Sequence, residues 1–149
     1  MHCTSISLIC ILLCTYSPIS TFVIDNRVPI ISILTQPATS FEKIIPEASD
    51  KYSEIVTSYV EWVEQTGSIA ALVPWELPWN LLKSQLSNTQ GLVLPGGGAE
   101  LVEFHGINPR KITKYQNRLA QIINWVKKEN DKGNYFPVWG TCLGMQEAF

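Results

Sequence analysis

The sequence predicts a three-layer α/β domain built around a mainly parallel sheet. Four short apolar runs, each of a length suited to one strand, alternate with segments in which apolar residues recur at helical spacing. Strands that alternate with helices form βαβ units, and these units give a parallel sheet covered by helices. In open sheets of this kind, functional sites lie at the carboxyl ends of the strands.

The strands are predicted from apolar runs that end at turn-forming residues, and the first run is also rich in β-branched residues. They cover residues 28–34, 69–74, 91–94 and 135–139. The first is followed by Thr-Gln-Pro and then by a mixed segment, residues 38–50, that we interpret as a loop. The last run contains no charged residue and predicts a buried strand, although Pro137 cannot donate a hydrogen bond to a neighbouring strand.

The helices are predicted from apolar stripes and from residues typical of helix ends. The first covers residues 52–65 and ends before Gly67, which suits the left-handed position that often follows a helix. A short helix is predicted over residues 81–86. The next covers residues 109–130, with Asn108 as its N-cap and proline at its first position.

The segment after the last predicted strand contains the candidate catalytic residue. Residues 140–144 are Gly-Thr-Cys-Leu-Gly, which has the spacing of the G-x-S-x-G nucleophile elbow with sulfur in place of oxygen. Such a turn is tight and needs small flanking residues, and it presents its central side chain at the start of the next helix, where a thiolate is favoured. We therefore predict that Cys142 is a catalytic nucleophile, although an isolated cysteine is more often a buried core residue.

Charge and hydropathy restrict the remaining function classes. The net charge is −2 and the charges are interspersed, which gives no footprint of nucleic-acid binding or of stable membrane association. An apolar block over residues 6–14 precedes the first charged residue, so we predict a signal peptide over residues 1–20, with a signal anchor as the alternative. Cleavage would leave Cys142 as a lone thiol, and a leftover cysteine in a secreted chain is either a bridge partner or reactive.

Residues 136–144, Phe-Pro-Val-Trp-Gly-Thr-Cys-Leu-Gly, resemble the nucleophile segment of γ-glutamyl hydrolases. These thiol hydrolases belong to the class I glutamine amidotransferase-like superfamily and trim poly-γ-glutamate from folates. The resemblance covers residues 28–149 and implies that superfamily's fold, with a flavodoxin-like core. It also implies cleavage of a γ-linked amide through Cys142, without a metal or cofactor.

The same resemblance implies the substrate class and the compartment. The substrate would be a small molecule, a folyl or antifolate poly-γ-glutamate, and no nucleic acid would take part. The location would be extracellular or lysosomal/vacuolar, reached through the secretory pathway. A homodimer is one candidate for the quaternary state.

Two further segments acquire roles from the resemblance. Residues 95–98, Pro-Gly-Gly-Gly, match a loop in which one backbone N–H joins that of the residue after the cysteine to form an oxyanion hole. We assign this pair to Gly97 and Leu143. Tyr59 matches a tyrosine near the substrate and is therefore a candidate substrate-binding residue, although its periodicity alone indicates an ordinary core position. Gln146 stands where the family commonly has an acidic residue.

The catalytic histidine of the resembling family lies in a His-x-Glu segment beyond the nucleophile, and no histidine follows Cys142 up to residue 149. We interpret His105 as a solvated loop residue. The expectation is therefore an N-terminal portion of a γ-glutamyl hydrolase, truncated after the elbow and inactive alone. The alternatives are a glutaminase domain of a glutamine amidotransferase and a non-catalytic truncated product.

Overall fold

The computed structural model describes residues 28–99, 102–103 and 111–148. The predicted signal peptide, His105 and Asn108 lie outside these residues. Within them, the strands are β1 (Ile30–Leu34), β2 (Gln36–Pro37), β3 (Ser53–Glu54), β4 (Ile69–Val73), β5 (Gly91–Leu94), β6 (Val102–Glu103), β7 (Lys111–Ile112) and β8 (Val138–Gly140). The helices are α1 (Ala48–Lys51), α2 (Thr57–Gln65), α3 (Trp79–Ser87), α4 (Lys114–Asp131) and α5 (Leu143–Ala148), with a 3₁₀ turn at Thr39–Phe41.

The main sheet has four parallel strands in the order β4, β1, β5, β8. Its register pairs Ile33 with both Leu72 and Val93, and it pairs Leu94 with Gly140. Because β5 and β8 are neighbours and run in the same direction, their carboxyl ends meet at one edge. The loop after β5 therefore lies beside the turn after β8.

Helices cover both faces of this sheet. Ile33 and Val93 point to one face and pack with Val63 of α2. Their neighbours along the strands point to the other face and pack with α3 and α4; the core on that side includes Leu34, Leu92, Leu94, Leu82, Leu86, Leu119 and Ile122. This alternation produces three layers and confirms the predicted α/β class. None of the helices within the described ranges is long and apolar enough to cross a membrane.

The predicted loop over residues 38–50 is wrong in part. It contains the 3₁₀ turn and α1, and it is enclosed by an antiparallel pair in which Gln36 lies opposite Glu54. Because β3 takes up Ser53–Glu54, α2 begins at Thr57, five residues later than predicted. Its end is as predicted: Gly67 has a φ of 81° and its N–H donates to the Glu64 carbonyl at 2.9 Å.

The predicted start of the long helix is also wrong. Lys111–Ile112 forms β7 and pairs with β6, so these residues are extended rather than helical. Helix α4 begins after Thr113, whose Oγ1 accepts a hydrogen bond from the Gln116 N–H at 3.1 Å. The interior of the helix is as predicted, since its apolar stripe is buried: Tyr115, Leu119, Ile122 and Val126.

The last strand is present but is not buried as predicted. Trp139 is 60% exposed, and Tyr135, which precedes β8, is 85% exposed. Among the described strands, β8 pairs only with β5 and is therefore an edge strand. The entry to the strand is fixed from α4 instead. Asn130 Oδ1 accepts from the Phe136 N–H at 2.6 Å, and Asn130 Nδ2 donates to the Phe136 carbonyl at 3.2 Å. These two bonds set where the chain enters β8.

Replacing Thr113 with alanine should lower the free energy of unfolding by about 1 kcal/mol, because the Gln116 N–H loses its acceptor. The Thr113→Ser variant keeps the hydroxyl and should retain most of the stability. Urea unfolding of both variants and the parent chain measures the difference. Equal losses in the two variants would show that the hydroxyl does not cap α4.

Candidate active site

Cys142 occupies a strained turn between β8 and α5. Its φ is 52°, in the left-handed region that L-residues adopt at a cost of about 1–2 kcal/mol, and its side chain is exposed as a free thiol. Hydrogen bonds hold the turn on both sides. The Thr141 N–H donates to the Leu94 carbonyl at 3.1 Å, and the Cys142 carbonyl accepts from the Met145 and Gln146 N–H groups, each at 3.1 Å.

The two glycines that flank the cysteine are required by close backbone contacts. A Cβ at Gly144 would overlap the carbonyl oxygen of Leu94 and would lie 2.6 Å from its carbonyl carbon. A Cβ at Gly140 would lie 2.7 Å from the Gly144 carbonyl oxygen and 2.8 Å from Met145 Cα. These distances are far inside van der Waals contact. The turn packs against the end of β5 only because Gly144 lacks a side chain, and α5 folds back on the end of β8 only because Gly140 lacks one. The Gly-Thr-Cys-Leu-Gly spacing thus corresponds to a sharp turn between a strand and a helix.

The glycine loop after β5 lies directly against this turn. A Cβ placed on Gly96 would lie 3.0 Å from Cys142 Cβ, 3.1 Å from the Thr141 carbonyl oxygen and 3.1 Å from the Tyr59 hydroxyl. Gly96, Cys142 and Tyr59 therefore converge on one small volume. The structure brings the predicted loop and the predicted nucleophile together.

Tyr59 reaches this volume from α2. Its ring is half-buried and packs against the cluster of Ile33, Val63 and Val93, in keeping with its helical periodicity. Its hydroxyl accepts a hydrogen bond from the Gly96 N–H at 2.8 Å. Tyr59 therefore serves the core through its ring and the loop through its hydroxyl.

Among the described residues, no hydrogen bond uses the N–H of Gly97 or of Leu143. Leu143 is the first residue of α5, and N–H groups in the first turn of a helix have no partner within that helix. The Gly96 N–H, in contrast, is occupied by Tyr59. Within the described residues, Gly97 therefore differs from Gly96 in that its N–H has no hydrogen-bond partner.

Gln36 was not assigned to the site from the sequence, although it follows a buried strand. It is only 4% exposed, and its Nε2 donates to the Pro95 carbonyl at 2.9 Å. A Cβ at Gly97 would overlap Gln36 Oε1. One buried amide therefore contacts the glycine loop at two points. A polar residue two positions after a buried strand was the signal available in the sequence, but its partner is 59 residues away.

No group of three or more His, Cys, Asp or Glu side chains suited to a metal ion occurs in the described ranges. Gln146 is exposed on α5, and its backbone N–H is engaged by the Cys142 carbonyl. The chemistry that these residues can support is nucleophilic attack by an exposed thiol beside backbone N–H donors.

Comparison of the sequence with known proteins identifies its family. The model of the peptidase C26 family matches residues 29–148. The chain belongs to the peptidase C26 family. Membership confirms the predicted γ-glutamyl hydrolase-like, glutamine amidotransferase-like assignment and is consistent with the parallel sheet flanked by helices.

Curated proteins that this chain is similar to include several gamma-glutamyl hydrolases. The chain is 34% identical over 122 residues to gamma-glutamyl hydrolase B of Dictyostelium discoideum, covering 82% of this chain and 32% of the relative. It is 38% identical over 96 residues to gamma-glutamyl hydrolase of Rattus norvegicus, covering 62% and 26%. With gamma-glutamyl hydrolase of Homo sapiens, identity is 30% over 119 residues, covering 80% and 33%. The matched part of the chain thus spans about a quarter to a third of the length of these relatives.

Replacing Gly144 with alanine should destabilise the chain by about 1–3 kcal/mol, because the new methyl group overlaps the Leu94 carbonyl and forces the turn away from β5. The alkylation rate of Cys142 should change as well, since the turn positions its thiol. Urea unfolding and mass spectrometry after timed iodoacetamide treatment measure the two effects.

The matched control is Gly98→Ala. A Cβ there would meet only Thr39 Oγ1 at 3.9 Å, an ordinary contact, so the change in stability should stay within about 0.5 kcal/mol. If both alanine variants behaved alike, the contact at Gly144 would not be what holds the turn.

Proposed function

We propose that Cys142 is the nucleophile of a γ-glutamyl hydrolase that acts on folyl or antifolate poly-γ-glutamates. The observation that carries the proposal is the exposed thiol on a left-handed turn, in contact with the glycine loop. Membership of the peptidase C26 family and the shared name of the relatives support the same reaction. The thiol is accessible to a substrate and its turn is held in one conformation.

In the first half of the reaction, the Cys142 thiolate attacks the carbonyl carbon of a γ-linked amide. A carbon–sulfur bond forms, and the carbonyl electron pair moves to oxygen. Collapse of this tetrahedral intermediate breaks the carbon–nitrogen bond, and the leaving amine takes a proton. The product of this half-reaction is a thioester on Cys142.

Water completes the reaction by attacking the thioester carbonyl. Loss of a proton from the water and expulsion of sulfur release a γ-carboxylate and restore the thiolate. Both halves need a group that carries protons. In the resembling family that group is the histidine of a His-x-Glu segment, and both histidines of this sequence, His2 and His105, lie outside the described residues.

The oxyanion is assigned to the N–H groups of Gly97 and Leu143. No hydrogen bond within the described residues competes for either donor, whereas the Gly96 N–H is held by Tyr59. Removing one pre-oriented donor from an oxyanion hole lowers kcat by about 10²–10³-fold. The availability of its N–H is what favours Gly97 over Gly96.

Tyr59 is proposed to contact the substrate. Its hydroxyl oxygen accepts from Gly96, so its own O–H hydrogen remains available to donate. An α-carboxylate of the γ-glutamyl chain is a suitable acceptor for this donor. The predicted leader over residues 1–20 supports a secretory route, with an extracellular or lysosomal/vacuolar destination.

The test uses the whole protein that carries these residues, with folyl-tri-γ-glutamate as substrate and chromatography of the shortened folates as the readout. Replacing Cys142 with alanine should reduce kcat by roughly 10⁴-fold or more, because no thioester can form. Intact-protein mass spectrometry of the parent protein during turnover should detect the acyl adduct on Cys142.

The matched control is Cys14→Ser, which removes a thiol of the predicted leader and should leave kcat unchanged. Parallel assays use an α-linked triglutamate and free glutamine. Full activity of the alanine variant would contradict the role of Cys142. Ammonia release from glutamine without cleavage of the γ-linked substrate would identify a glutaminase instead.

A further inference from the structure

We propose that Gln36 is a positioning residue that fixes the glycine loop, and with it the Gly97 N–H, for catalysis. The inference rests on the proposed function, because the loop matters only if it supplies an oxyanion donor. Gln36 is not itself assigned a contact with substrate. It acts through the backbone of residues 95–97.

The key contacts fall on a single peptide unit. The Pro95 carbonyl and the Gly96 N–H belong to the same planar peptide group. Gln36 Nε2 donates to that carbonyl at 2.9 Å, and the Tyr59 hydroxyl accepts from that N–H at 2.8 Å. Both polar ends of one plane are therefore held, from β2 on one side and from α2 on the other. A flip of this peptide would break both bonds at once.

The next peptide unit carries the Gly97 N–H. Its direction depends on the torsions of Gly96, which as a glycine has no intrinsic preference that would fix them. Gln36 restricts this freedom as well, because its Oε1 packs so closely on Gly97 that a Cβ there would overlap it. The Gln36 side-chain amide thus restrains the loop at two places, the Pro95 carbonyl and Gly97 itself.

The burial of Gln36 supports a specific role. Its side chain is 4% exposed, and a buried polar group must keep its hydrogen bonds or lose stability. The hydrogen bond that its side chain donates goes to a loop that lies against Cys142. The geometry therefore favours control of the loop over general packing.

The main variant is Gln36→Met, which keeps similar length and volume but removes both polar ends. In the whole protein, kcat for folyl-tri-γ-glutamate should fall by about 10–10³-fold, as expected for a displaced oxyanion donor, with KM changed by less than about threefold. Alkylation of Cys142 by iodoacetamide should remain within about twofold of the parent. Alkylation forms no oxyanion, so it separates the donor from the nucleophile.

The matched control is Ser32→Ala, which removes another buried polar contact of the same β-strand region. Ser32 Oγ lies 2.9 Å from Thr89 Oγ1, away from the glycine loop, so this variant should lose stability without losing kcat. Hydrogen exchange of the peptide containing residues 95–98 supplies a readout independent of turnover. It should accelerate in Gln36→Met and stay unchanged in Ser32→Ala.

Each result supports or contradicts either the role of Gln36 or the proposed function. Unchanged kcat and unchanged exchange in Gln36→Met would overturn the role of Gln36 while leaving the hydrolase intact. A loss of alkylation as large as the loss of kcat would indicate general collapse of the turn, and would also overturn it. If Gln36→Met does not fold, Gln36→Glu, which keeps the shape but presents no Nε2 donor, takes its place. An inactive parent protein with normal loop exchange would instead overturn the proposed function.

Discussion

The close contact between Gly144 and the carbonyl of Leu94 is the constraint on which the site depends. Backbone meets backbone there with no room for a Cβ, so the start of α5 is pressed onto the end of β5. The chain can leave β8 and enter α5 over so short a distance only through a sharp turn. That turn places Cys142 at a φ of 52° and leaves its thiol exposed. The strain at Cys142 is thus a consequence of packing around it, as expected when surrounding structure over-determines a backbone conformation.

The sheet register then determines what lies beside the thiol. Since Leu94 pairs with Gly140, the residues that follow each strand emerge together at the carboxyl edge. This arrangement brings the start of the glycine loop beside the Cys142 turn. Helix α2 and strand β2 add Tyr59 and Gln36 from elements that precede β5 in the chain. The site is therefore assembled from four chain segments around the carboxyl edge of the parallel sheet.

Sequence reasoning succeeded where the determinants are local. The strands around Ile33, Val93 and Leu72 follow from continuous apolar runs, and the Gly-Thr-Cys-Leu-Gly turn follows from spacing. It failed where residues far away in the chain determine the local structure. The two-residue strands β2, β3, β6 and β7 have no pattern of their own. Because Lys111–Ile112 pairs as a strand, the helix starts at Lys114 instead of residue 109. The contacts of Gln36 were likewise invisible, because its partners are far away in the chain.

The composition of the glycine loop explains why it needs outside support. Close approach to Cys142 requires that Gly96 lack a Cβ, and glycine loses more conformational freedom on ordering than any other residue. A loop made of such residues cannot hold a donor in place by its own torsional preferences. Hydrogen bonds from rigid elements can supply the missing restraint, provided that they act on the peptide groups themselves. Gln36 and Tyr59 act in this way on the Pro95–Gly96 peptide, so the two requirements of the site, closeness and fixed direction, are met by different parts of the fold.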